Sequence, residues 1–136
     1  PDLVVKIPAD SVQKHSMIIF YDAACKYCNQ LLTQIPTLTK NGINVYVLPL
    51  LNHGLYSQES KRMYLAWSTP QPLVSLLSGN LPERPNKKIA QRMFDFTKFA
   101  QNSLNVTNTP YVLLENDNYI DGSFNPVDLI HLLNNK

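Results

Sequence analysis

The chain has 136 residues, of which 44% are hydrophobic and 16% charged, with a formal net charge of +2. It is long enough to bury a core without staples, and too apolar and too sparsely charged for a disordered tail. Its Lys and Arg are scattered, no apolar run nears the roughly 18 residues of a membrane span, and no repeat or heptad seam is visible, which speaks against nucleic-acid binders, membrane spans and solenoids. The chain starts at Pro1 rather than Met, which reads as a processed or cut chain, so the lack of a signal peptide says nothing of compartment.

In chain order, residues 3–7 read as a short edge strand stopped by Pro8, and 9–15 as a loop. Residues 17–21 (Met-Ile-Ile-Phe-Tyr) form a continuous apolar run, as expected of a strand buried on both faces. Helical spacing follows: Cys28, Leu31, Leu32, Ile35 and Leu38 share one face, Pro36 should kink the helix, and Asn41-Gly42 ends it. Residues 43–48 are the next strand, closed by Pro49, and strand–helix–strand implies a parallel pair. No strand is expected from 50 to 104. Ser57 caps a helix to about Trp67, residues 73–77 form a short helix, and Asn86 caps a longer one to about Ser103. That last helix, with Ile89, Met93, Phe96, Phe99 and Ala100 on one face and Phe94 off it, is expected to be buried on more than one side. Residues 111–114 and 119–120 read as strands around a turn at 115–118. Asn125 then caps a final helix with Pro126 at its first position and Leu129, Ile130, Leu132 and Leu133 on its apolar side. The fold class expected is α/β: one domain, 1–136, around a mixed sheet, with a helical insertion at about 52–104.

The two cysteines sit in one motif, Cys25-Lys26-Tyr27-Cys28. A secreted disulfide scaffold needs more cysteines, and a zinc site needs a second ligand pair that His15, His53 and His131 are too scattered to supply. No metal or other cofactor is expected. The motif falls where a buried strand hands over to a helix, whose free N–H groups and positive dipole end favour an anion. That placement suits Cys25 as attacking nucleophile and Cys28, one turn inside, as the more buried resolving thiol. A permanent disulfide across so short a loop would add little stability. Lys26 either adds positive charge beside Cys25 or is an exposed solubilising residue. Tyr27 either shapes access to the sulfurs or is a surface aromatic. Asp22 either caps the loop entering the helix or aids proton transfer. Thr109-Pro110 opens the strand that follows the helical region, a position where proline costs no ladder bond.

The order strand, CxxC at a helix start, parallel strand, helical segment, then Thr-Pro before a ββα unit resembles the thioredoxin fold. More narrowly, it resembles the catalytic domain of the DsbC/DsbG family of bacterial periplasmic disulfide isomerases. Four stretches carry this: Phe20-Tyr21-Asp22-Ala23-Ala24-Cys25-Lys26-Tyr27-Cys28; Gly42-Ile43-Asn44-Val45 with Gly54-Leu55-Tyr56-Ser57; Asn108-Thr109-Pro110; and Gly122-Ser123-Phe124-Asn125-Pro126. The chain departs from the family pattern at Lys26 and Asn108, where glycine is usual, and in having no further cysteine pair. The acid that thioredoxins bury in the strand before the motif aligns with Ile19. The resemblance implies a nucleophile at Cys25, a resolving thiol at Cys28, and a cis-proline, Pro110, against the disulfide. It also implies substrate-backbone contact and tuning of Cys25 by Thr109. A strand edge there would take an extended peptide by β-addition.

The function expected is thiol–disulfide exchange of the isomerase or reductase type, through a mixed disulfide at Cys25, in a bacterial periplasm. The partners implied are unfolded or misoxidised proteins and a membrane thiol reductant of the DsbD type, with no nucleic acid. Only about fifteen residues precede Met17, so the family's N-terminal dimerisation domain is not in this sequence and a monomer is expected of it. Two alternatives stand: a net oxidase of the DsbA kind, and a non-enzymatic peptide-binding or chaperone module using the Thr109 edge. Asn105-Val106-Thr107 matches a glycosylation sequon and is read as chance.

Overall fold

The computed structural model describes residues 3–135. Five strands form one mixed sheet: β1 (Val5–Ile7), β2 (His15–Tyr21), β3 (Ile43–Pro49), β4 (Tyr111–Leu113) and β5 (Tyr119–Asp121), in the order β1-β3-β2-β4-β5. β2 and β3 pair in parallel, joined by α1 (Lys26–Lys40), while β1–β3, β2–β4 and β4–β5 are antiparallel. Between β3 and β4 lie α2 (Gln58–Trp67), α3 (Pro72–Ser78) and α4 (Lys87–Ser103), and α5 (Pro126–Asn134) ends the described chain.

The two-residue period of a strand sorts the core into two layers. Met17, Ile19, Tyr21, Val45, Val47 and Val112 point to one face, packed with residues of α1, α2, α3 and α5. Phe20 points to the other, with Leu50, Ala100 and Val106, and half-buried Ile18, Phe96, Tyr111 and Leu113 close that layer. Phe20 stacks on Phe96 at 6.1 Å between ring centroids and meets Tyr111 edge-on at 5.8 Å. The expected face of α1 is the buried one: Cys28, Leu31, Leu32, Ile35 and Leu38 all face inward, and the helix runs through Pro36 without a break. Ser57, Asn86 and Asn125 cap their helices as expected, each side chain accepting from backbone N–H groups of the first turn.

Several expectations are corrected. Leu3 lies outside β1, is itself buried, and its carbonyl accepts from Trp67 Nε1 at 2.7 Å. β2 starts two residues early, because His15 and Ser16 already pair with Ile43 and Asn44 of β3. It is buried on both faces only at its C-terminal end, since Ser16 and Ile18 are half-buried. Helix α4 buries a single stripe, Met93, Thr97 and Ala100, whose ends meet the two core layers, and Phe99 is exposed. Leu132 of α5 is also exposed, leaving Leu129 and Leu133, with half-buried Ile130, to make the contact.

Candidate active site

β2 ends at Tyr21 and α1 begins at Lys26, so residues 22–25 form the turn that carries the first cysteine. Asp22 caps that turn. Its Oδ1 accepts from the Ala24 N–H at 2.9 Å, and its carbonyl accepts from the Cys25 N–H at 3.0 Å. Cys25 occupies the N-cap of α1, where a side chain normally supplies the missing acceptor. Here the acceptor is sulfur: the Cys28 N–H donates to Cys25 Sγ at 3.2 Å. A backbone donor at a helix start, aimed at a sulfur, favours the charged thiolate.

Both cysteines are free thiols. Cys25 keeps 6% of its surface and Cys28 none. Burial pushes the Cys28 thiol far above the ordinary range, and the neighbouring Cys25 pushes it further. The Asp22 main-chain N–H and the Thr109 hydroxyl act the other way, favouring the Cys28 anion. No hydrogen bond of normal geometry reaches Thr109 Oγ1, which is buried; its influence on Cys28 is correspondingly weak.

The Thr109–Pro110 bond is cis. Cys25 Sγ donates to the Thr109 carbonyl at 3.3 Å, across 84 residues of sequence. The motif and the Thr-Pro segment therefore meet. Lys26 is exposed, and Tyr27 is 53% exposed. Tyr27 lines a small groove with Leu31, Gln34, Pro110 and Phe124 beside the cysteines. Ile19, where thioredoxins carry an acid, is a buried core residue of β2.

Sequence reasoning missed the environment of the Asp22 carboxylate. It is wholly buried, and its Oδ2 accepts from the Asn52 N–H at 2.8 Å, the His53 N–H at 3.0 Å and His53 Nδ1 at 2.8 Å. Asn52 also reaches the segment before Pro110, its Nδ2 donating to the Thr107 carbonyl at 3.0 Å. The only forewarning was that His53 follows β3, at the same sheet end where β2 delivers the cysteines. Among the described residues no group of three or more His, Cys, Asp or Glu could hold a metal ion, and no helix is long and apolar enough to cross a membrane.

A family model described as a thioredoxin-like domain matches residues 6–136. The chain is 28% identical over 137 residues to the thiol:disulfide interchange protein DsbC of Haemophilus influenzae, covering 97% of this chain and 57% of that protein. It is 26% identical over 122 residues to the like-named protein of Pasteurella multocida, covering 87% of this chain and 52% of that protein. The chain thus spans somewhat over half the length of these curated relatives. Among solved structures, a periplasmic thioredoxin-like protein from Salmonella enterica serovar Typhimurium matches with a TM-score of 0.74 at 16% identity, over 99% of this chain and 90% of that one. A disulfide interchange protein from Neisseria gonorrhoeae matches with a TM-score of 0.71 at 18% identity, over 98% and 95%. At these identities the structural likeness bears on the fold, which is thioredoxin-like.

Proposed function

Since the chain belongs to the thioredoxin-like domain family, we propose that it is a thiol–disulfide oxidoreductase of the isomerase or reductase type. We propose that it works on protein disulfides in a bacterial periplasm. The observation that carries the reading is the N-cap position of Cys25, whose sulfur receives a backbone N–H and lies against the Thr109 carbonyl. Likeness to two proteins named as thiol:disulfide interchange proteins supports it.

The Cys25 thiolate attacks one sulfur of a substrate disulfide. The S–S bond breaks, a mixed disulfide forms, and the other substrate sulfur leaves as a thiolate that takes up a proton. Two exits follow. A second substrate thiol can attack the mixed disulfide and return Cys25 as a thiolate, which rearranges the substrate with no net electron transfer. Alternatively Cys28 loses its proton and attacks Cys25 Sγ, releasing the substrate reduced by two electrons and leaving a Cys25–Cys28 disulfide. The raised Cys28 thiol holds back the second exit, which suits rearrangement. Thr109 and Pro110 border the site where the substrate backbone docks, with Lys26 and Tyr27 at its mouth. The oxidised domain would be returned to the dithiol by a membrane reductant of the DsbD type.

Scrambled disulfide-containing substrate is the test, with the Cys25–Cys28 potential measured by equilibration with glutathione. Rearranged substrate is expected, with a potential in the range of an isomerase or reductase, about −180 to −270 mV, rather than about −120 mV. A potential near the upper value would make the protein a net oxidase. Cys25→Ser should abolish exchange; a variant that kept all function would reduce the domain to a peptide-binding module.

A further inference from the structure

Asp22 is the only fully buried carboxylate among the described residues. It holds the turn before α1 from within, and four hydrogen bonds converge on its two oxygens. Three come from backbone N–H groups. The fourth comes from His53 Nδ1, and the His53 side chain is 49% exposed. Nδ1 carries a proton for this bond both in the imidazolium and in one neutral tautomer, so the contact survives a change of charge on the ring. His53 makes two of the four bonds, one from its main chain and one from its ring. It is thus the clamp between the loop after β3 and the turn that carries Cys25.

We infer that His53 is a positioning residue for the dithiol: through its ring contact to the buried Asp22 it fixes the turn that carries Cys25. The inference rests on the reading of Cys25 and Cys28 as the redox pair. Its effect on chemistry follows from what Asp22 touches. The Asp22 carbonyl anchors the N–H of Cys25, whose sulfur in turn receives the Cys28 N–H. With the ring gone, the turn slackens and the Cys28 N–H is less well aimed at the Cys25 sulfur. The Asp22 carboxylate also loses one of the donors that spread its charge, which disfavours a second anion close by. Both changes weaken the dithiol relative to the disulfide.

The test is the glutathione equilibrium of the purified protein. His53→Ala should shift it toward the Cys25–Cys28 disulfide by roughly threefold to tenfold, the net worth of one ordinary hydrogen bond. His53 is half exposed, so the truncation opens no core cavity. His53→Asn keeps an N–H at the position of Nδ1, within reach of Asp22 Oδ2, and should recover most of the shift. In an Asp22→Asn background, His53→Ala should shift the equilibrium far less, because its effect passes through the carboxylate. The inference is overturned by an unchanged equilibrium in His53→Ala, by a shift toward the dithiol, by no rescue in His53→Asn, or by an undiminished effect beside Asp22→Asn. The equilibrium reads the disulfide whether or not protein substrates are rearranged, so a failed rearrangement assay and a failed clamp are separate results.

Discussion

At the scale of single residues, the two sulfurs differ in what surrounds them. Cys25 keeps a sliver of surface and a backbone donor, while Cys28 is sealed and its thiol is pushed up by burial. Iodoacetamide at neutral pH should therefore modify Cys25 at least about tenfold faster than Cys28. Peptide mapping by mass spectrometry reads this, and equal rates would contradict the assignment. The Cys28 environment also sets a pH dependence. Unfolded thiols ionise from about pH 8.5, whereas folded Cys28 keeps its proton. Above that pH the unfolded state binds fewer protons than the folded one, so stability falls as pH rises. In Cys25→Ser, where Cys28 is the only thiol, the folding constant should drop by up to about tenfold per unit between roughly pH 8.5 and 10. Urea titrations across that window test it, and Cys25→Ser/Cys28→Ser should be flatter. Tyr21, also raised by burial and donating to Asn29 Oδ1 at 2.6 Å, adds its own fall only above about pH 10. The cysteines were legible because their chemistry is local: a CxxC at a strand-to-helix junction declares itself within a few residues. The Asp22–His53 pair was not, because it spans 31 residues and exists only once β2 and β3 lie side by side.

At the scale of elements, periodicity told which residues form a helix but not how much of its circumference is covered. Helix α4 carries Phe94, Phe96 and Phe99 on adjoining flanks, and only packing against Phe20 selects Phe96 and leaves Phe99 in water. In α1 the apolar stripe is narrow and one-sided, so the expected and observed faces coincide. The extra length of β2 was hidden because His15 and Ser16 are polar, and backbone pairing rather than burial recruits them. Gly42 makes the junction between α1 and β3. Its φ is +83°, its carbonyl accepts from the Lys14 N–H at 2.7 Å, and a Cβ there would lie 2.9 Å from the Val12 carbonyl oxygen. Gly42→Ala should cost about 1–3 kcal/mol, from the left-handed backbone and the clash together. Chemical denaturation measures it, and a loss under about 0.5 kcal/mol would show that the 12–14 segment yields freely.

At the scale of the whole molecule, the two core layers share the central strand: β2 sends Tyr21 to one and Phe20 to the other. Helix α4 also serves both, through Met93 and through Ala100. The helical region between β3 and β4 is thus tied to the sheet on both faces, and we expect it to melt with the rest as one domain. Trp67 of α2, the only tryptophan in the sequence, stacks on Tyr21 at 6.4 Å and reports the junction. Its emission and far-ultraviolet circular dichroism should give coincident unfolding curves, and an earlier fluorescence transition would mean that α2 and its neighbours come away first. Both outer strands, β1 and β5, are three residues long. So few free N–H and C=O groups make a poor template for edge-to-edge pairing. Substrates of the kind proposed would be sticky extended chains, and here neither rim of the sheet is long enough to seed a growing fibril with them.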